Sequence, residues 1–162
     1  MNPDDIFQLI VLVVLLILSA FFSSAETSLT TFNRIRMRTL ADEGNKRAAR
    51  VLKVTEDSGK MLSAILIGNN VVNLSASSIA TTLALRLFGS VGAGIATGIL
   101  TVLILIFGEI SPKTLATLHA EKLAMAYSGI IQFLMMLLTP VINVINKLSN
   151  LFLLLLRVDP NK

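Results

Sequence analysis

From Ile6 to Phe22 the chain carries no charged side chain and almost no polar one. In lipid such a run must satisfy its own backbone hydrogen bonds, and within one segment only a helix does so. A crossing takes roughly 20 apolar residues. Two further apolar runs follow, Met61 to Leu87 and Gly92 to Ser111, the latter meeting Pro112. Composition agrees: 54% of the 162 residues are hydrophobic and 15% are charged, where a soluble domain has about a quarter charged. The first run lacks a basic flank and a small-residue cleavage site, so it reads as a retained helix rather than a signal peptide. Without cysteine there is no disulfide and no thiolate metal site, and a single histidine excludes a multi-histidine centre. Cations favoured by oxygen ligands remain: Mg²⁺, Ca²⁺, Mn²⁺ and Na⁺.

Between the first two runs lies a basic stretch, Asn33 to Lys60. Eight basic residues (Arg34, Arg36, Arg38, Lys46, Arg47, Arg50, Lys53, Lys60) face Asp42, Glu43, Glu56 and Asp57. Met37, Leu40, Ala41, Ala48, Val51 and Leu52 allow one or two short amphipathic helices, broken at Gly44. The link around Arg86 to Gly94 is short, and its glycines suit a tight helix-to-helix turn. Basic loops stay on the cytoplasmic side. The N-terminus has Asp4 and Asp5 and no Lys or Arg, so it is predicted outside, with the first loop in the cytoplasm. Lys113, His119 and Lys122 at the exit of the third run agree. The net charge of +4 is then a loop property and not a nucleic-acid signal.

The final apolar block, Leu123 to Leu156, is interrupted by Pro140 and then by Asn143, Asn146, Lys147, Ser149 and Asn150. That pattern suits a helix lying along the interface or wrapping the spans. The expected fold is an all-α membrane protein of three transmembrane helices, with short cytoplasmic helices and a C-terminal juxtamembrane belt helix. It is read as a single domain over residues 1–162. The expected location is the plasma (inner) membrane, N-terminus outside and C-terminus cytoplasmic.

Glu26 and Glu109 stand in sequence that reads as membrane-spanning. A charge near the bilayer centre costs at least ~2.5–3.5 kcal/mol on insertion scales, so each marks a candidate functional site. Ser23, Glu26 and Thr27 share one helix face at i, i+3 and i+4. Asn69 and Asn73 share another, with Asn70 and Ser77 close beside it, and Gly68 lets a neighbouring backbone approach. Pro112 has no N–H, so an α-helix through it would leave the Gly108 carbonyl without its donor, next to Glu109. Carboxylate, hydroxyl, amide and freed carbonyl oxygens on three spans suggest a cation site. The competing reading treats the serines as bonded to their own helices and the asparagines as glue between helices. It pairs Glu26 with Arg34 or Arg36, and Glu109 with Lys113. The protein would then be a membrane anchor or assembly subunit. No nucleophile–base pair stands at the polar depth, so an enzyme is not expected.

The run Ala20-Phe21-Phe22-Ser23-Ser24-Ala25-Glu26-Thr27-Ser28 resembles the opening motif of the transmembrane domain of the CorC/CNNM family. Gly68-Asn69-Asn70-Val71-Val72-Asn73 and Phe107-Gly108-Glu109-Ile110-Ser111-Pro112-Lys113 resemble its second and third motifs, in order. The resemblance implies a dimeric Mg²⁺ transporter, with Mg²⁺ efflux coupled to Na⁺ in several members. It implies an ion site near Ser23, Glu26, Asn69, Asn70, Asn73, Gly108 and Glu109. Family members usually continue into ATP-binding CBS domains. This chain lacks them, so no nucleotide is expected to bind here. Small residues at Ala76, Ser77, Ala80, Ala84, Gly92, Gly94 and Gly98 would allow close helix packing, within a protomer or across a homodimer.

Overall fold

A computed structural model describes residues 2–159. Every regular element among them is helical. Helix α1 spans Pro3–Thr31. Pro3 opens it at a position where a missing N–H costs nothing, and Asp5 Oδ2 accepts from the Asn2 backbone N–H at 3.2 Å. At ~1.5 Å per residue α1 outruns a hydrocarbon core of about 30 Å. Its polar second half therefore extends beyond what lipid alone requires. Phe7, Ile10 and Ile17 are exposed on one side, while Leu12, Ser19, Phe22, Ser23 and Ala25 are buried on the other.

The basic stretch folds into α2 (Arg34–Asp42) and α3 (Lys46–Glu56). Asn33 accepts from the Arg36 N–H, and Asn45 accepts from those of Arg47 and Ala48, so each helix starts on an asparagine cap. Gly44, at φ 96°, turns the chain between them as expected.

Helix α4 covers Ser58–Ile104 and is broken at one residue, Gly89, with φ 72° and ψ −174°. The apolar helical run Ser58–Leu118 has 61 residues, about twice what one crossing needs. Gly89 divides it. Ala80 and Leu83 before it, and Ala96 and Leu100 after it, line one cavity together with Leu9 and Leu12. Both arms thus lie along α1 as a hairpin, giving three crossing segments with α1. The loop expected from Arg86 to Gly94 shrinks to a single glycine, because only φ > 0 is required, and Gly92 and Gly94 stay helical.

The second arm ends in a π-helical turn, Leu105–Ile110, followed by α5 (Ser111–Leu118), α6 (Ala120–Leu137) and α7 (Thr139–Leu155). α6 and α7 are bent by 66°. α6 packs on α1 and α3; Phe21 meets Tyr127 edge-on at 4.9 Å. In α7 only Ile142 is buried, which matches the belt expected of the last block. The main core lies where the inner half of α1, the short helices, the start of α4 and α6 meet, around Met37, Val51, Met61, Ile65, Ala124 and Ile131. α1 is the common wall: α4, the π-helical turn, α5 and α6 all contact it.

Candidate cation site

The polar face of α1 begins one turn earlier than the motif reading suggests. Ser19 is 2% exposed, and its Oγ donates to Asn73 Oδ1 at 2.9 Å, joining α1 to the first arm of α4. Asn73 Nδ2 in turn donates to Asn69 Oδ1 at 3.4 Å. The two asparagines share a face because they stand four apart on a helix. Gly108, buried in the π-helical turn, closes the third side: a Cβ there would lie 3.1 Å from Ser19 Oγ and 3.3 Å from Leu16 Cδ1. Three segments therefore meet at Ser19. It belongs to the same stripe as Ser23 at i+4 and Glu26 at i+7, and extending that spacing toward the N-terminus is the signal that finds it.

Ser23 is 1% exposed, and its Oγ has no hydrogen-bond partner. A buried hydroxyl left unpaired costs about 1–3 kcal/mol. The other serines of the motif behave as ordinary helix residues: Ser24 bonds to the Ala20 and Phe21 carbonyls, and Ser28 to that of Ala25. For those two the self-bonded reading holds.

Glu26 and Glu109 are half-buried. The ion pairs weighed from sequence, Glu26 with Arg34 or Arg36 and Glu109 with Lys113, do not form; the salt bridge among the described residues joins Arg86 to Asp5. Asn69 and Asn73 are half-buried and inside the cluster, whereas Asn70 is exposed. A 100° step per residue turns Asn70 away from the face that Asn69 and Asn73 share.

Pro112 acts differently from a simple kink. It sits in the first turn of α5, and the ladder before it widens, with the Ser111 N–H bonded to the Ile106 carbonyl five residues back. The proline removes one donor, and the helix shifts register by one residue around Gly108 and Glu109. Single π-turns of this kind concentrate at functional sites.

Outside the Ser19–Asn73 bond lies an apolar cavity of about 190 Å³, lined by residues including Leu12, Leu16, Leu100, Leu103 and Ile104; Ser19 and Asn73 are its polar lining residues. The polar stripe of α1 runs the other way, toward Glu26 and the basic helices. No group of three or more His, Cys, Asp or Glu side chains that could hold a metal occurs among the described residues.

Residues 10–162 match the family model described as the cyclin M transmembrane N-terminal domain. The chain is 46% identical over 137 residues to a UPF0053 protein of Haemophilus influenzae, covering 85% of this chain and 33% of that protein. It is 40% identical over 136 residues to the UPF0053 inner membrane protein YfjD of Escherichia coli, covering 84% of this chain and 32% of the relative. A polyamine export protein of Haemophilus influenzae is 32% identical over 169 residues, covering 96% of this chain and 39% of that protein. The chain spans about a third of the length of the curated relatives it matches.

Proposed function

Because the chain belongs to the CorC/CNNM family, we propose that it is the membrane domain of a Mg²⁺ transporter that exports Mg²⁺ in exchange for Na⁺. The observation that carries this reading is the buried, unpartnered Oγ of Ser23, on the same face as the Ser19–Asn73–Asn69 relay. A hydroxyl oxygen with free lone pairs, one helical turn from the residue that meets Asn73 and Gly108, offers part of what a hard cation needs. Glue between helices would leave these groups satisfied, so the anchor reading explains Ser23 poorly.

Mg²⁺ prefers six oxygens at about 2.0–2.1 Å and gives up water reluctantly. Ser23, Asn69, Asn73, the backbone at Gly108 and the carboxylates of Glu26 and Glu109 are the groups we assign to replace part of its shell. Asn70 faces outward and is the weakest member of the set. Release requires that the site open to each side in turn and not bind too tightly. Beyond Ser19 the lining is almost wholly aliphatic, which disfavours a charged ion, so the ion would arrive along the α1 stripe. With the N-terminus outside, as the basic first loop favours, that stripe opens to the cytoplasm. The relative named as an inner membrane protein supports the same membrane for this chain. A homodimer is the assembly we propose.

The relative named as a polyamine export protein favours a second reading, an organic polycation as cargo. A polyamine is long, and its ammonium groups call for several separated acids; the compact oxygen cluster around Ser19 and Ser23 fits a small ion better. Proteoliposomes loaded with Mg²⁺ and a Mg²⁺-sensitive dye decide between them. Mg²⁺ loss accelerated by an opposing Na⁺ gradient supports the first reading. Spermidine flux without Mg²⁺ flux replaces it with the second, and flux of neither sinks both.

A further inference from the structure

We infer that Ser19 is a positioning residue of the cation site, acting through Asn73; this rests on the Mg²⁺ reading above. The hydroxyl is buried and its proton is directed at Asn73 Oδ1, 2.9 Å away, across the contact between α1 and α4. That bond fixes which end of the Asn73 amide faces α1. Nδ2 is thereby aimed along α4 at Asn69 Oδ1, so one donor orients two amides. The side chain is also a spacer. Gly108 packs so closely on Ser19 that a Cβ would stand 3.1 Å from its oxygen. Ser19 therefore touches both the first arm of α4 and the π-helical turn, the segments that carry the proposed ligands.

The apolar cavity gives Ser19 a second task. Asn73 borders that cavity, whose other lining is almost wholly aliphatic. An amide swung into it would lose its partners, at a cost of about 1–3 kcal/mol on mutational scales. The Ser19 hydroxyl holds the amide at the polar end. Ser19 thus shapes affinity and selectivity without itself being named a ligand.

The test uses the purified 162-residue chain with MgCl₂ and CaCl₂ as probes, read as cation-dependent rises in melting temperature. Ser19→Ala should still fold, with its ion-free melting temperature lowered by the unpaired Asn73 Oδ1, and the readout is the further rise on adding cation. It should weaken apparent Mg²⁺ affinity about tenfold, the scale of one lost hydrogen bond, and narrow the preference for Mg²⁺ over Ca²⁺. Ser19→Cys, of similar size with a weaker donor, should fall between. The deciding comparison is the double variant Ser19→Ala with Asn73→Ala. If Ser19 works through Asn73, the double variant binds Mg²⁺ no more weakly than Asn73→Ala alone. Additive losses, or a Ser19→Ala protein with unaltered affinity and preference, overturn the inference. Should Ser19→Ala not fold, Ser19→Cys with Asn73→Ala supplies the same comparison. An unaltered chain indifferent to Mg²⁺ overturns the transport reading and this inference with it. A responsive chain with indifferent Ser19 variants overturns this inference alone.

Discussion

Asp5 and Arg86 are ion-paired, with Asp5 Oδ1 3.4 Å from Arg86 Nη1, at the end of α1 farthest from Glu26. The carboxylate is buried and the guanidinium is partly exposed. The pair ties the start of α1 to the first arm of α4 just before the Gly89 reversal. Arg86→Ala leaves a buried carboxylate with only the Asn2 N–H as partner. We expect a loss of about 1–2 kcal/mol, below the value for a fully buried pair because Arg86 is half in solvent. Thermal melts in detergent should show Arg86→Ala well below the unaltered protein, with Asp4→Ala, an exposed acid on the same turn, nearly unchanged. Equal melting temperatures for all three would refute a structural role for the pair.

Glu109 is half-buried within the π-helical turn and makes no ion pair. Its carboxylate is free to meet a cation. Glu109→Gln keeps size and removes charge, so the protein should fold while Mg²⁺ flux in proteoliposomes falls to the background of empty vesicles. Unchanged flux would count decisively against a role for Glu109 in transport.

Phe22 lies against Gly68 so closely that a Cβ there would stand 2.5 Å from two ring carbons. Glycine is what lets α1 and α4 approach just inside the polar cluster. Gly68→Ala should therefore cost about 1–3 kcal/mol, the range for overpacking. Combining it with Phe22→Leu should recover part of the lost melting temperature. A single variant as stable as the parent would mean that the ring moves aside freely.

Gly89 occupies φ 72°, ψ −174°, a region essentially closed to other residues. Gly89→Ala should destabilise the hairpin by about 1–3 kcal/mol. Gly94→Ala is the control: it is helical and a Cβ would meet nothing within 4 Å, so a gain of up to ~1 kcal/mol is expected. Opposite signs in the two melts check both statements.

Asn70 and Asn73 stand three residues apart yet differ in placement: Asn73 is in the relay and Asn70 is exposed. Calorimetric titration with Mg²⁺ should show Asn73→Ala about tenfold weaker, the scale of one lost interaction, and Asn70→Ala close to the parent. A larger effect at Asn70 would place the cation on the outward face of α4.

The chain order of polar and apolar residues by itself determined the helices, most of their breaks and the region of the candidate site. Uncharged runs in lipid leave the backbone no alternative to helix. Gly44 and Gly89 mark the reversals because few other residues accept their φ values. Helical spacing brought Ser23 with Glu26, and Asn69 with Asn73, into view, and the missing N–H of Pro112 pointed to Gly108. Which oxygen meets which was decided only by the fold. Ser19 looks like one small residue in an apolar run, and it gains its role because α4 and Gly108 arrive opposite it. Asp5 and Arg86 are 81 positions apart (86 − 5) and meet only because the first arm of α4 runs back along α1 to its start. Ser24 and Asn70 carry the same groups as Ser23 and Asn73, yet one bonds to its own helix and the other faces outward. Periodicity fixes which side chains share a face; the neighbour that a face meets depends on how the helices pack.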